Sequence, residues 1–385
     1  MKAELSDGLV DRVRDRLASA GAAPTPSRVA GALRDEGILL GDAAVLDVVV
    51  ALRSELAGSG PLEELLREPF VTDVLVNGPD SVWIDRGNGP EPAKVRFRDE
   101  RAVRQLAQRL AANAGRRLDD ATPYVDARLA DGARLHAVLP PVAPRGTCIS
   151  LRVPRRRVFT VEDLVSAGAI PADGSEWLVA LVRSRAAFLI SGGTGSGKTT
   201  LLSALLTWAD PTERLLLVED SGELEPEHPH VVRLEARPAN LEGAGAVAMR
   251  DLVRQALRMR PDRVVVGEVR GAEVVDLLAA LNTGHEGGCG TVHANSATDV
   301  PARLEALALA AGLGRDALHA QVAAGLDAVV HVDRDRSGVR RVSGIHSLRR
   351  GSDGFVSSVP AVSFDHSGVA RGPAIGELAR RLGMD

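Results

Sequence analysis

The run GGTGSGKTT, Gly192 to Thr200, constrains this chain more than any other feature. Gly192, Gly197, Lys198 and Thr199 fall at the spacing G-x-x-x-x-G-K-[ST], with Gly193, Thr194, Gly195 and Ser196 between them and Thr200 after. Residues without Cβ let successive backbone N–H groups curl around phosphate oxygens. Apolar Phe188 to Ile190 precede the run as a strand. Leu201, Leu202, Leu205 and Leu206 follow it as a helix whose N-terminal dipole faces an anion. Strand, loop and helix in this order predict a cradle for a nucleoside triphosphate.

Lysine usage sharpens the reading. Only Lys2, Lys94 and Lys198 are lysines among 47 basic residues, so arginine is the default cation of this chain. A compact ammonium bridges phosphate oxygens inside a tight loop where a planar guanidinium fork would not fit. Lysine at 198 is therefore a chemical requirement rather than a compositional habit.

With 385 residues, 45% hydrophobic and 25% charged, the chain is expected to be a soluble globular protein of two or three domains. A net charge of −4 gives no global basic field to recruit nucleic acid, although arginines cluster at 152 to 157 and 334 to 341. Cys148 and Cys289, far apart and in no C-x-x-C pair, point to a reducing compartment and away from a zinc ribbon. The charged, amphipathic N-terminus lacks the apolar core of a signal peptide, and nothing approaches 18 consecutive apolar residues. Any membrane role is expected to be peripheral, at the cytoplasmic side.

Periodicity divides the chain. Residues 1–57 read as a helical arm, with Leu5, Leu9, Val13 and Leu17 at helical spacing. Over 58–153 the segments VTDVLVN, SVWIDR, AKVRFR, YVDARLA, ARLHAVL and CISLRV read as short strands, and one helix starts at an Asp99 cap and runs to Asn113. This is an α+β domain with a mainly antiparallel sheet. The charged, proline-containing stretch over 154–160 suits a linker where domains can move. Over 161–335 strands at 188–191, 215–220, 231–235, 263–267 and 290–293 alternate with helices at 176–184, 199–208, 246–259, 272–282 and 298–311. That alternation predicts a mostly parallel sheet between helices, the α/β arrangement of a P-loop domain. Residues 336–385 read as a β-hairpin extension closed by a helix near Ile375 to Leu382.

Hydrolysis needs carboxylates beside the cradle, one to orient water and one to hold Mg²⁺ or its waters. LLLVEDSGELE ends an apolar strand in Glu219, Asp220 and Glu223; RVVVGEVRG ends another in Glu268, with Gly267 where an Asp commonly stands. Strand carboxyl ends are where open parallel sheets place their sites, so both acidic groups are expected at the loop. His285 and His293 lie in NTGHEGGCGTVHANSA, whose glycines argue for close backbone approach to the same face. No further His or Cys supports a four-coordinate metal site. On the helix over 246–259, Met249, Leu252, Val253, Ala256 and Leu257 form the buried stripe. Arg250, Arg254 and Arg258 form a row suited equally to a partner's carboxylates or to water.

Four motifs in order, GGTGSGKTT, VEDSGELE, RVVVGEVRG and GTVHANS, resemble the Walker A, Asp box, Walker B and His box of the type II/type IV secretion ATPase superfamily. The likeness extends over most of 60–345. VTDVLVNGPDSVWIDR, DARLADGARLHAVLPP, LRMRPDRVVVGEVRGAE and NTGHEGGCGTVHANS look most like the CpaF-type branch that assembles tight-adherence (Flp) pili, and next most like conjugative type IV secretion ATPases. The tetracysteine element of some type II relatives is missing.

The resemblance implies a RecA-like P-loop ATPase domain preceded by a PAS-like N-terminal domain, a homo-hexameric ring, ATP and Mg²⁺ as cofactors, and an inner-membrane platform protein as partner. By motif it assigns Lys198 and Thr199 to the phosphates and Mg²⁺, Glu223 to activation of water, and Glu268 to the metal. Glu219 and Asp220 are assigned to the nucleotide site, His285 and His293 to sensing the γ-phosphate, and Arg134 and Arg152 to reaching it as charge clamps. The expected activity is ATP hydrolysis driving pilus assembly or secretion. A conjugation-like motor moving DNA or effectors is the alternative, weakened by acidic charge and ten aromatics; a non-hydrolysing nucleotide-gated scaffold is the third reading.

Overall fold

The computed structural model describes residues 25–36, 45, 49, 58–87, 89–153, 158–237, 239, 243–334, 338–365 and 368–384. Most of the expected helical arm and residues 154–157 of the expected linker lie outside them. The chain divides into two compact units, Met1–Arg155 and Arg156–Asp385.

In the first unit, six antiparallel strands run in the order β3-β2-β1-β6-β5-β4: β1 Asp73–Val76, β2 Val82–Asp85, β3 Pro90–Pro92, β4 Tyr124–Arg128, β5 Arg134–Val138 and β6 Cys148–Arg152. Alternation puts Val74, Ile84, Leu135, Ala137, Ile149 and Leu151 on one buried face. The helix Glu100–Asn113 supplies Val103, Leu106, Ala107, Leu110 and Ala111 to the same apolar cluster. Asp99 caps that helix, its Oδ1 accepting from the Ala102 amide at 2.8 Å. AKVRFR is not a strand. The edge strand is Pro90–Pro92 instead, and the ladder ends where the Ala93 amide donates to Val82 O. Phe97 then turns inward as a single buried ring, its amide donating to Pro79 O. Prolines at 90 and 92 are tolerable because this strand is the sheet's edge.

The second unit carries a nine-stranded sheet ordered β15-β14-β13-β12-β7-β11-β10-β8-β9. β7 Phe188–Gly192, β8 Leu215–Glu219, β9 Val231–Glu235, β10 Arg263–Val269, β11 Cys289–His293 and β12 Ala328–Arg334 pair in parallel. β13 Arg340–Arg350, β14 Val356–Asp365 and β15 Gly368–Arg371 continue the sheet antiparallel. β7 and β8 are buried at every position, as strands covered on both faces must be. Phe188 and Ile190 face a layer that holds Leu178, Leu181, Leu201, Leu202 and Leu205; Leu189 faces the opposite layer with Leu252, Val253, Leu277, Leu278 and Leu304. This is a RecA-like P-loop fold with helices on both faces.

Two elements depart from expectation. The helix Arg315–Gly325 and strand β12 add to the expected elements, in a part of the sequence marked only by the arginine cluster that begins at 334. The C-terminal hairpin is present as β13 and β14, and with β15 it prolongs the sheet through β12. The helix Ile375–Leu382 buries Leu378 and Leu382 in the same layer as the helix after the phosphate loop.

Candidate nucleotide site

β7 ends directly in the glycine loop, and the helix Lys198–Leu206 begins directly after it. A Cβ on Gly192 would stand 2.3 Å from Val332 O and 2.7 Å from Ser196 Oγ, so β12 closes the space behind the loop against any side chain. Gly197, at φ +101°, turns the chain into the helix through the left-handed region. Arg340, at the start of β13, donates from Nε to Gly195 O at 2.8 Å and braces the loop from the neighbouring hairpin. Beneath the loop, buried Ser191 Oγ lies 2.8 Å from His331 Nδ1, and His331 Nε2 is 2.9 Å from Asp333 Oδ1.

The Lys198 ammonium, almost fully buried, donates to Gly192 O at 3.1 Å and Gly193 O at 2.8 Å, and lies 3.2 Å from His293 Nδ1. Burial pushes its pKa below the ordinary lysine value, against the pull of the Glu268 and Glu223 carboxylates. Neutral acceptors satisfy its hydrogens but not its charge, so an entering polyphosphate would restore what burial removes. The cradle therefore fits a triphosphate.

His293 closes β11 beside this lysine. Since its Nδ1 accepts from an ammonium, its Nε2 carries the hydrogen and donates to Glu268 Oε1, 2.5 Å away. Burial and the neighbouring Lys198 charge hold its pKa below the usual histidine value, opposed by Glu268. Glu268 Oε2 accepts from Arg270 Nη2 at 2.6 Å, and Arg270 Nε reaches Asp220 Oδ2 at 3.1 Å. Glu273 Oε1 fixes the turn carrying Arg270 by accepting from the amides of Arg270 and Gly271, both at 2.7 Å. Thr199 Oγ1 donates to Glu223 Oε2 at 3.5 Å. The tips of β7, β8, β10 and β11 thus gather Lys198, Thr199, Asp220, Glu223, Glu268 and His293, joined through Arg270. Thr200 follows in the first helical turn, and Thr194 is exposed on the loop.

Among the described residues no group of three or more His, Cys, Asp or Glu could hold a metal ion. Mg²⁺ fits this setting differently. It takes one or two protein oxygens and completes its shell with phosphate and water, and the Thr199 hydroxyl with a neighbouring carboxylate offers that set.

Glu219 is not at the cradle. Its carboxyl is 3% exposed, with Oε1 accepting from the amides of Glu223 and Leu224 at 3.0 Å each. Burial, with smaller contributions from Glu223 and Glu235, raises its pKa from 4.5 to about 7 against those two amides. Between these values the folded chain holds a proton that the unfolded chain has lost, so stability falls as pH rises across that window, by on the order of 3 kcal/mol. Urea unfolding at pH 5 and pH 8 measures this. The Glu219→Gln protein, which cannot titrate there, should lose most of the difference between the two curves.

His285 is not gathered either. It precedes β11, and β11 pairs Cys289 with Phe188 and His293 with Gly192. His285 therefore sits where the strands begin, at the edge of the sheet opposite the phosphate loop. A Cβ on neighbouring Gly287 would meet Arg263, the first residue of β10, at 2.8 Å. Arg250 and Arg254 need no partner chain: their Nε atoms both donate to Asp276 on the helix Glu273–Leu281, at 2.7 Å.

In the first unit, Arg134 lies opposite Arg152 across β5 and β6, and Arg128 on β4 lies opposite Arg134. Directly opposed residues share a sheet face, so three arginines stand in one row, continued by Asp73, whose Oδ1 accepts from Arg152 Nε at 3.2 Å. Like charges in register oppose folding unless an anion or acid repays them. The sequence reading missed Arg128, and also Arg270 and Arg340. The repeated arginine of DARLADGAR was the available signal for the first; the other two depend on tertiary contacts.

The profile of the family described as type II/IV secretion system protein matches residues 55–339. The chain belongs to that family. A Mycobacterium tuberculosis H37Rv protein named for conjugal transfer is 55% identical over 348 residues, covering 89% of this chain and 99% of its own. A Sinorhizobium fredii protein named probable conjugal transfer protein TrbB is 31% identical over 294 residues, covering 75% and 86%. The solved structure of the pilus retraction motor PilT with bound ADP matches at 19% identity and TM-score 0.52 over 83% of this chain and 85% of its own, a likeness of fold. Among the described residues of this secretion family member, no helix is long and apolar enough to cross a membrane.

Proposed function

We propose that this family member is an ATP-hydrolysing motor of a secretion or pilus-assembly machine, working as a homo-hexamer at the cytoplasmic face of the inner membrane. The observation that carries the reading is the meeting of Lys198, Thr199, Glu223, Glu268 and His293 at neighbouring strand tips. Lys198 and Thr199 would bind the phosphates and Mg²⁺, and the bound metal would neutralise charge on them. Glu223 would take the proton of the attacking water. His293, held by Glu268, presents a ring one proton exchange away from the lysine that touches the terminal phosphates. By the family resemblance, Arg134 and Arg152 would answer charge on the terminal phosphate. A purified wild-type protein is expected to release phosphate from ATP with Mg²⁺ and to stop when EDTA is added. Tight ATP binding without phosphate release would instead establish the scaffold reading.

The branch is proposed as the Flp pilus type, supported by the stretches VTDVLVNGPDSVWIDR and DARLADGARLHAVLPP. A conjugation-like motor is the second reading, favoured by relatives named for conjugal transfer. Stimulation of ATP turnover by single-stranded DNA, falling steeply with salt, would select the second. Turnover indifferent to DNA would retain the first.

A further inference from the structure

We propose that Glu219 is the positioning residue of the loop that carries Glu223, and that Gly267 is glycine because the Glu219 side chain crosses it. The proposal rests on the hydrolytic reading for its kinetic consequence, but its geometry stands apart from it. One carboxyl oxygen, Glu219 Oε1, receives two consecutive amides, those of Glu223 and Leu224. Such a bifurcated acceptor fixes the direction in which the chain leaves β8, and with it the origin of the Glu223 side chain. Buried Leu224 anchors the following position in the core.

The neighbouring strand makes room for this. A Cβ at 267 would stand 2.7 Å from Glu219 Cγ, closer than Cβ atoms pack, and 3.0 Å from Glu219 Oε1, so the Glu219 side chain would have to shift. Gly267 is itself held, its carbonyl accepting from Thr291 Oγ1 on β11 at 2.6 Å. The residue after it is Glu268. The acidic tips of β8 and β10 are thus set against each other through one buried carboxyl, and the glycine in RVVVGEVRG is a steric necessity. An Asp at 267 would push the Glu219 side chain out of this packing.

A Gln at 219 keeps an oxygen acceptor at the same reach, whereas Asp is one methylene short and Ala removes the acceptor. Losing the acceptor of these two amides loosens the loop that carries Glu223. Mg²⁺-dependent ATP turnover should therefore fall roughly 10- to 100-fold in kcat for Glu219→Ala, Glu219→Asp and Gly267→Ala, with KM within about threefold of wild type. Glu219→Gln should stay within about threefold in both. Amide hydrogen exchange read at Glu223 and Leu224 should accelerate in the three damaged proteins and not in Glu219→Gln. Equal damage by Gln and Ala, or unchanged exchange in Glu219→Ala and Gly267→Ala, would overturn the proposal. If Glu219→Ala does not fold, the Asp and Gln proteins make the same comparison. A wild-type protein without phosphate release would remove the hydrolytic reading and leave the exchange measurement to decide the role of Glu219.

Discussion

Lys198→Ala is expected to lower Mg²⁺-dependent ATP turnover by about 10² or more, because one preorganised charged donor to a transferring phosphoryl group is worth that much. The geometry gives the reason. The ammonium is the cation that the loop itself encloses, and in the ligand-free chain its hydrogens rest on Gly192 O, Gly193 O and His293. Truncation leaves acceptors facing the place where phosphate oxygens should enter, which repels the ligand as well as failing to bind it. Lys198→Arg should rescue little, since a planar fork does not fit the space that Gly192 O, Gly193 O and His293 Nδ1 set around one ammonium. Phosphate release, read together with nucleotide-dependent thermal stabilisation, separates lost binding from lost chemistry. Both should be lost in Lys198→Ala, and turnover within a few-fold of wild type would reject the hydrolytic reading.

Where local order decided structure, the sequence was a good guide. The strand, glycine loop and helix around 192–198, the Asp99 cap and the C-terminal helix are each written in a dozen consecutive residues. β12 was hidden because AVVHVDR runs straight into the arginine cluster that begins at 334, yet its apolar residues pair beside β7. His285 misled for a physical reason. Glycines on both sides suggested one tight loop, but the four buried residues of β11 that precede His293 lie between the two histidines and send them to opposite ends of the strand. Glu219 misled because charge at a strand tip was read as charge facing ligand. Only the packing against Gly267 reveals a carboxyl turned into the core. The identity of residue 267, visible as a departure from the common pattern, was the one hint, and it could be interpreted only once the neighbouring strand was in place. The row of arginines required strand register, which a single sequence does not fix.

Glu223→Gln should lower kcat by about 10²- to 10³-fold while nucleotide binding persists, since a general base in place is worth that order. The two acidic tips differ in what they hold. Glu268 has one oxygen on His293 Nε2 and the other on Arg270 Nη2, so its lone pairs orient protein groups. Glu223 Oε2 accepts from the Thr199 hydroxyl at 3.5 Å, which puts it beside the group proposed to hold Mg²⁺ and phosphate. On the proposed reading Glu223 would take the proton of water there, and Glu268 would hold His293 in the tautomer that accepts from Lys198. Glu268→Gln should therefore behave differently. A Gln there can still accept from His293 and would keep the tautomer, so its loss should be smaller than that of Glu223→Gln and accompanied by a change in KM. Single-turnover phosphate release with both proteins saturated in ATP distinguishes the roles. If Glu268→Gln is the slower of the two at saturation while Glu223→Gln turns over normally, the base is the carboxylate on β10, and Thr199 and Glu223 serve only to place the nucleotide.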